Sequence, residues 1–172
     1  MSNLNVTRTH LELPAAAQLR AASPPGDSAT LRRVHPIRAA AYRALYQLVG
    51  ERWLWRDRNR WTDEELDAYL ASPDVHVWTL HVGADVAGYF ELKRHPNDSV
   101  EIVYFGLAAP FIGRRLGGWM LTRAAEEAFA LGATRVILNT CTLDAPQALP
   151  NYLARGFTIT REEKYTIDAP TV

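Results

Sequence analysis

Three stretches of the chain combine residue types and spacings from which chemistry could follow. Ile112-Gly113-Arg114-Arg115-Leu116-Gly117-Gly118 stands between an apolar run and a helical pattern. A helix start leaves N–H groups unpaired and pointing one way, and with the helix dipole behind them they hold an anion. Glycines let the backbone approach a phosphate there, and Arg114 and Arg115 add charge; a solvated, glycine-rich helix entry is the plainer reading of the same residues. No Gly-Lys-Ser/Thr follows, so this is not a nucleoside-triphosphate loop, and the three-glycine spacing and downstream acid of a dinucleotide site are missing. The second stretch is Glu101-Ile102-Val103-Tyr104-Phe105, where a carboxylate opens an apolar strand. Desolvation raises a carboxyl pKa toward the range of a general base; the alternative is a strand-end carboxylate facing solvent. Glu91, on the preceding strand, is expected near Glu101, so either acid, or a pair sharing a proton, could serve. The third stretch, Glu51 to Trp61, is dense in aromatic and charged residues. Its Trp residues beside carboxylates suit a cationic amine through cation–π and ionic contacts, although packing between helices would use them equally well.

Composition limits the partners. The chain has 172 residues, 48% of them hydrophobic with five Trp, which fits one domain over 1–172 with a core of its own; residues 1–30 are its least defined part. Formal net charge is zero, so neither nucleic acid nor an anionic membrane has a matching charge to meet. Cys141 is the sole cysteine, which excludes an intrachain disulfide and a thiolate-rich zinc site; with no activating His beside it, it reads as a small hydrophobe. His76 and His81 fall on opposite faces of one strand and cannot form a local metal pair, and no metal is expected. The N-terminus lacks the features of a signal peptide and no stretch reaches membrane-span length, so a cytoplasmic location is expected.

The elements that must position these residues follow from periodicity. Val6 to Leu13 is a strand candidate, followed by a loop at 23–27. From Pro36 to Gly50, Ile37, Ala41, Leu45 and Leu48 recur at helical spacing. Thr62-Asp63-Glu64-Glu65 is a capping box that opens a second helix, which ends before Pro73. Val75 to Val82 and Val86 to Lys93 form a hairpin around Gly83-Ala84-Asp85, with Val86, Gly88, Phe90 and Leu92 on one face and Tyr89, Glu91 and Lys93 on the other. Glu101 to Leu107 is apolar on both faces beyond its first residue and belongs in the middle of a covered sheet. A helix over 113–131 carries Leu116, Met120, Ala124, Ala128 and Leu131 as its stripe, with Gly132 as the stop. A strand at 135–140 follows, then a short helix near 146–154 with Asp144 as its cap, and a last strand running to about Ile167. That order is an α/β layered domain with a mixed sheet.

Glu101 to Leu107, Ile112 to Gly117 and Asn151-Tyr152-Leu153-Ala154-Arg155-Gly156-Phe157 together resemble, in order and spacing, the GNAT superfamily of acyl-CoA-dependent N-acetyltransferases. The resemblance covers the C-terminal half, and the element order agrees over nearly all of it. It implies a mostly antiparallel central sheet with helices on both faces, splayed where acetyl-CoA binds, and transfer of the acetyl group to a primary amine by direct attack through a tetrahedral intermediate. It implies a pyrophosphate loop on the backbone of Ile112, Gly113, Arg114, Arg115, Leu116, Gly117 and Gly118, in which Ile112 replaces a Gln or Arg and Arg115 replaces a Gly. Arg115 must then turn its Cβ away from the phosphates. By the same resemblance Glu101 is the general base, with Glu91 its rival; Phe105, Leu107 and Ala109 contact the pantetheine arm; and the Phe105 N–H stabilises the oxyanion. Tyr152 protonates the departing thiolate or packs before Gly156-Phe157. Ala145 stands where many relatives have a CoA-contacting Asn, which moves that contact to Asp144 or Asn139. The acceptor is set by the two early helices and their connection, with Tyr46, Trp53 and Trp55 as its contacts. A small-molecule amine is the expected acceptor; protein lysine or N-terminal acetylation and an acyl-CoA sensor without turnover are the alternatives, and a homodimer is compatible with each.

Overall fold

The computed structural model describes residues 3–26 and 28–168. Seven strands form one sheet: β1 (Asn3–Leu13), β2 (Ala29–Val34), β3 (Val75–Val82), β4 (Asp85–Arg94), β5 (Ser99–Leu107), β6 (Arg135–Cys141) and β7 (Thr158–Asp168), in the spatial order β2-β3-β4-β5-β6-β1-β7. Every neighbouring pair is antiparallel except β5 and β6. Helices α1 (Ala39–Gly50) and α2 (Asp63–Leu70) cover one face of β3 to β5, and α3 (Leu116–Ala130) and α4 (Ala148–Ala154) lie on the other. This is the mixed, helix-flanked sheet expected from the sequence.

The alternation of β4 sorts the two layers. Phe90 and Leu92 join the apolar core under α3, with Leu116, Met120, Leu121, Ala124 and Ala128. Tyr89 faces α1 and α2 among Tyr42, Tyr46, Val49 and Leu66. The stripe read for α3 is buried from Leu116 to Ala128; of that read for α1, Ile37 and Leu45 are buried but Ala41 is not. Leu48 is exposed, and the buried face is made by Ala39, Tyr42, Leu45, Tyr46 and Val49. Tyr42, Tyr46 and Val49 lie one residue, about 100°, beyond Ala41, Leu45 and Leu48, so the buried face is rotated toward the aromatic residues, which bury more area. The capping box is as read: Thr62 Oγ1 accepts from Glu65 N–H at 3.1 Å, and the Glu65 carboxylate accepts from Thr62 N–H at 2.8 Å.

The N-terminal part of the sheet goes beyond the expected order. No element is expected over 29–34; Ala-Thr-Leu-Arg-Arg-Val has no fully buried position and becomes a strand by pairing with β3 at the sheet edge. β1, at the least defined end of the sequence, lies inside the sheet between β6 and β7. Among the described residues no helix is long and apolar enough to cross a membrane.

Candidate active site

The parallel pair β5 and β6 stays in register for only three rows, Ser99↔Arg135, Val100↔Val136 and Glu101↔Ile137. Just beyond, Glu91 pairs with Tyr104 and Leu92 with Ile102, so Val103 is an extra residue in β5. Such a bulge bends its strand and ends pairing. It also reverses the alternation, placing Ile102 and Phe105 with the α3 core and Tyr104 with the α1 layer. The strands then diverge around a cavity of about 570 Å³ whose wall includes Glu101, Phe105, Leu107, Ile112, Gly117 and Tyr152. The splay inferred from resemblance is therefore present, and its local cause is the bulge at Val103.

At one end of this cavity α3 begins. The helix starts at Leu116, three residues later than read, because 113–115 form the turn that leads into it. Arg115 is its N-cap with φ 60°, the left-handed conformation that glycine adopts most easily. Arg115, which the resemblance sets in place of a Gly, thus adopts a conformation open to Gly, at some conformational cost. Ile112 and Gly117 line the cavity. Arg114 lies over the Phe111 ring, the Leu116 side chain is buried in the core, and a Cβ on Gly118 would meet Arg155 and Ala22. The loop consequently presents backbone to the cavity, with N–H groups of the first α3 turn that have no intrahelical acceptor. Ala109 is exposed at the start of the turn Ala109–Phe111 and lies outside the cavity wall, so the pantetheine contact expected of it is not supported.

The two carboxylates have different surroundings. Glu101 lines the cavity with its side chain 27% exposed, and His95 Nε2 lies 3.3 Å from its Oε1. The apolar setting expected for Glu101 is thus not the one observed. Sequence distance hid His95, which reaches Glu101 through the turn at 95–98. Glu91 is completely buried and stands outside the cavity wall. Its Oε1 accepts from the Tyr42 hydroxyl at 2.5 Å; its Oε2 accepts from the Tyr69 hydroxyl at 2.5 Å and from Arg58 Nη2 at 2.7 Å. Burial raises its pKa, opposed by the Arg58 charge and the two phenols, which favour the carboxylate. Each carboxylate oxygen is already engaged, so Glu91 anchors a buried network and does not share a proton with Glu101.

Tyr152 projects from α4 into the core side of the cavity, edge-on to Phe105 and Phe157 with ring centroids 6.1 and 6.2 Å away. Burial, with Asp144 adding to it, pushes its pKa well up, so the phenol keeps its proton. Asn139 lines the cavity from β6. Asp144 does not cap α4. It folds back to accept from the Thr140 hydroxyl at 2.6 Å and the Cys141 N–H at 2.9 Å, and the Trp55 indole N–H donates to it at 3.4 Å. Burial raises the Cys141 thiol, in keeping with an unreactive side chain.

Tyr46, Trp53 and Trp55 all line the cavity, joined by Tyr104, Arg56 and Asp57. Trp55 lies 5.7 Å from the Tyr46 ring and 5.0 Å from Tyr104. A Cβ on Gly50 would fall 2.5 Å from the Trp55 ring, so the absence of a side chain there lets the indole lie flat on α1. Through Asp144 the same indole reaches from β5 to the turn after β6. Sequence reasoning did not single out Arg8 and Tyr165, which form the far wall from β1 and β7, or Asn151 on α4 beside Gly117. Asn151 stood inside a quoted motif, but Arg8 had no local signal.

The family model for the acetyltransferase (GNAT) family matches residues 42–157, which hold both helical layers, the bulged strand, the loop and Tyr152. The chain belongs to the GNAT family of acetyltransferases. GNAT enzymes take the acetyl group from acetyl-CoA, and the backbone-lined cleft beside a helix start is consistent with that donor. A mycothiol acetyltransferase from Corynebacterium aurimucosum is 36% identical over 95 residues, covering 51% of this chain and 31% of that protein. The chain thus spans about a third of the length of the curated relatives it matches. Among solved GNAT structures, a GCN5-related N-acetyltransferase from Kribbella flavida superposes with TM-score 0.67 at 16% identity, covering 96% of this chain and 59% of that one. An aminoglycoside acetyltransferase from an uncultured soil metagenomic sample gives TM-score 0.62 at 14% identity, covering 84% and 96%.

Proposed function

We propose that this GNAT domain transfers the acetyl group of acetyl-CoA to the primary amine of a small molecule by direct attack on the thioester. The observation that carries this reading is the single cavity that runs from the start of α3 through the β5–β6 opening to Glu101 and the aromatic residues of the Trp53–Asp57 loop. Its two ends differ in kind: backbone and glycine at one, aromatic rings and carboxylates at the other. The first suits a phosphate, the second a cationic amine. A mycothiol acetyltransferase among its relatives and an aminoglycoside acetyltransferase among its structural neighbours favour a small acceptor.

In this reading the backbone of 112–118 holds the pyrophosphate, and the edges of β5 and β6 hold the pantetheine arm. Glu101 accepts the proton that the ammonium must lose before attack, with His95 beside it. The Phe105 N–H is a fixed donor for the oxyanion, and Tyr152 returns a proton to the thiolate. A turnover screen following free thiol release over amino acids, polyamines, aminoglycosides and lysine peptides tests the proposal. Thiol release with a small amine and none with peptides is the expected result; tight CoA binding with no turnover on any amine would make the domain a sensor instead.

A further inference from the structure

Arg8 is a cation in the cavity that the proposed chemistry does not use. It sits on β1 opposite Cys141 of β6. Val136 and Leu138 of β6 enter the α3 core, so Cys141 and Arg8 project to the other face, the one that carries Glu101 and Tyr104. Cys141 is four residues beyond the last paired row at Ile137, and Phe105 four beyond Glu101. Arg8 therefore lies at about the height of Tyr104 and Phe105, across the opening. Its guanidinium is set 4.9 Å over the Tyr165 ring, and Nη2 donates to the Tyr165 hydroxyl at 3.3 Å. Glu163, its cross-strand neighbour, gives its carboxylate to Arg161 at 2.8 Å and to His10 at 3.6 Å. Among the described residues, then, Arg8 makes no ion pair while lining the same cavity as the proposed base.

A guanidinium held by an aromatic face and a hydroxyl, with donors left to spare, suits a planar or tetrahedral anionic oxygen group. We propose that Arg8, oriented by Tyr165, binds an anionic oxygen group, a carboxylate or phosphate, on the acceptor whose amine is acetylated at Glu101. The inference rests on the acetyltransferase reading above and narrows its acceptor to amines that carry such a group. Arg8 and Tyr165 come from the first and last strands, β1 and β7, so acceptor choice is shared between these strands and the Trp53–Asp57 loop.

Matched acceptors test it: L-phenylalanine against 2-phenylethylamine, and phosphoethanolamine against ethanolamine, each measured by thiol release from acetyl-CoA and by tryptophan-fluorescence titration in the presence of CoA. The protein as it stands should favour the anionic member of at least one pair by about tenfold or more, and the pair that responds tells carboxylate from phosphate. Arg8→Gln should collapse that ratio toward one, Arg8→Lys should retain part of it, and Tyr165→Phe should lower it with the fold intact by circular dichroism. Anionic preference in binding without acetylation of any amine would uphold Arg8 and sink the acetyltransferase reading. Absence of any preference for anionic members in both turnover and binding, or a preference that survives Arg8→Gln, overturns the inference, as does a loss in Arg8→Gln confined to CoA affinity.

Discussion

The two faces of the sheet are built from different materials. Under α3 the core is apolar throughout and mostly aliphatic, with Ala124, Ala125 and Ala128 letting the helix sit close to β4 and β5. Under α1 and α2 it is aromatic and contains a buried ion pair: Arg58 meets Glu91, with its guanidinium 4.2 Å from the Trp61 ring and 4.3 Å from Tyr69. Non-directional packing suffices for the layer that carries the backbone-lined cleft. The opposite layer must hold Trp53, Trp55 and Asp57, on a loop between helices, at a fixed place over the cavity. Directional bonds from Arg58 to the sheet do that. The contrast is sharpest between Glu91 and Glu101, which share a face on neighbouring strands: one has every oxygen engaged and no access to the cavity, the other is partly exposed and lines it.

The largest expected effect breaks the buried side of that comparison. Glu91→Ala leaves Arg58 as an uncompensated buried charge and should destabilise the domain by about 3–5 kcal/mol, read by urea unfolding. The double change Glu91→Leu with Arg58→Met should recover most of it, because the charge is removed with its partner. Glu101→Gln should instead leave stability within about 0.5 kcal/mol and lower kcat/KM by about a hundredfold at neutral pH. That deficit should shrink as pH rises toward the pKa of the acceptor amine, since free amine then needs no base; an equal deficit at every pH would remove Glu101 from proton transfer.

Smaller effects sharpen the other face. Tyr152→Phe should lower kcat about tenfold with CoA affinity nearly intact. Because burial raises the Tyr152 pKa, the phenol stays protonated as pH passes the ordinary tyrosine value of about 10. A fall in kcat there that disappears in Tyr152→Phe would contradict that assignment. Arg115→Gly relieves a left-handed residue and should raise stability by up to about 1 kcal/mol by thermal unfolding. It should also weaken CoA binding and flatten its salt dependence, measured by calorimetry at two ionic strengths, so the two roles of Arg115 separate.

Much of the cleft was legible because its signals are local. The α3 stripe, the capping box at Thr62, the hairpin at Gly83 and the loop before Leu116 each depend on residues within a few positions of one another. The α1 face was misread because its aliphatic residues were counted ahead of Tyr42 and Tyr46. β2 was missed because an edge strand with arginines at its centre needs β3 to define it. Arg8 could not be found at all: its relation to Glu101 runs through strand order, and nothing in residues 3–13 states that they insert between β6 and β7.

By itself the sequence determined the family, the α/β layering, the position of the loop proposed to hold an anion and the residue types available for acid–base work, because helix periodicity, turn chemistry and motif spacing are properties of short stretches. Tertiary structure alone decided which carboxylate faces the cavity, where β5 parts from β6, and that β1 brings Arg8 to the cavity wall. Each of these depends on side-chain alternation counted across a bulge and on strands far apart in the chain becoming neighbours, and a one-residue shift in either reverses the face that a residue presents.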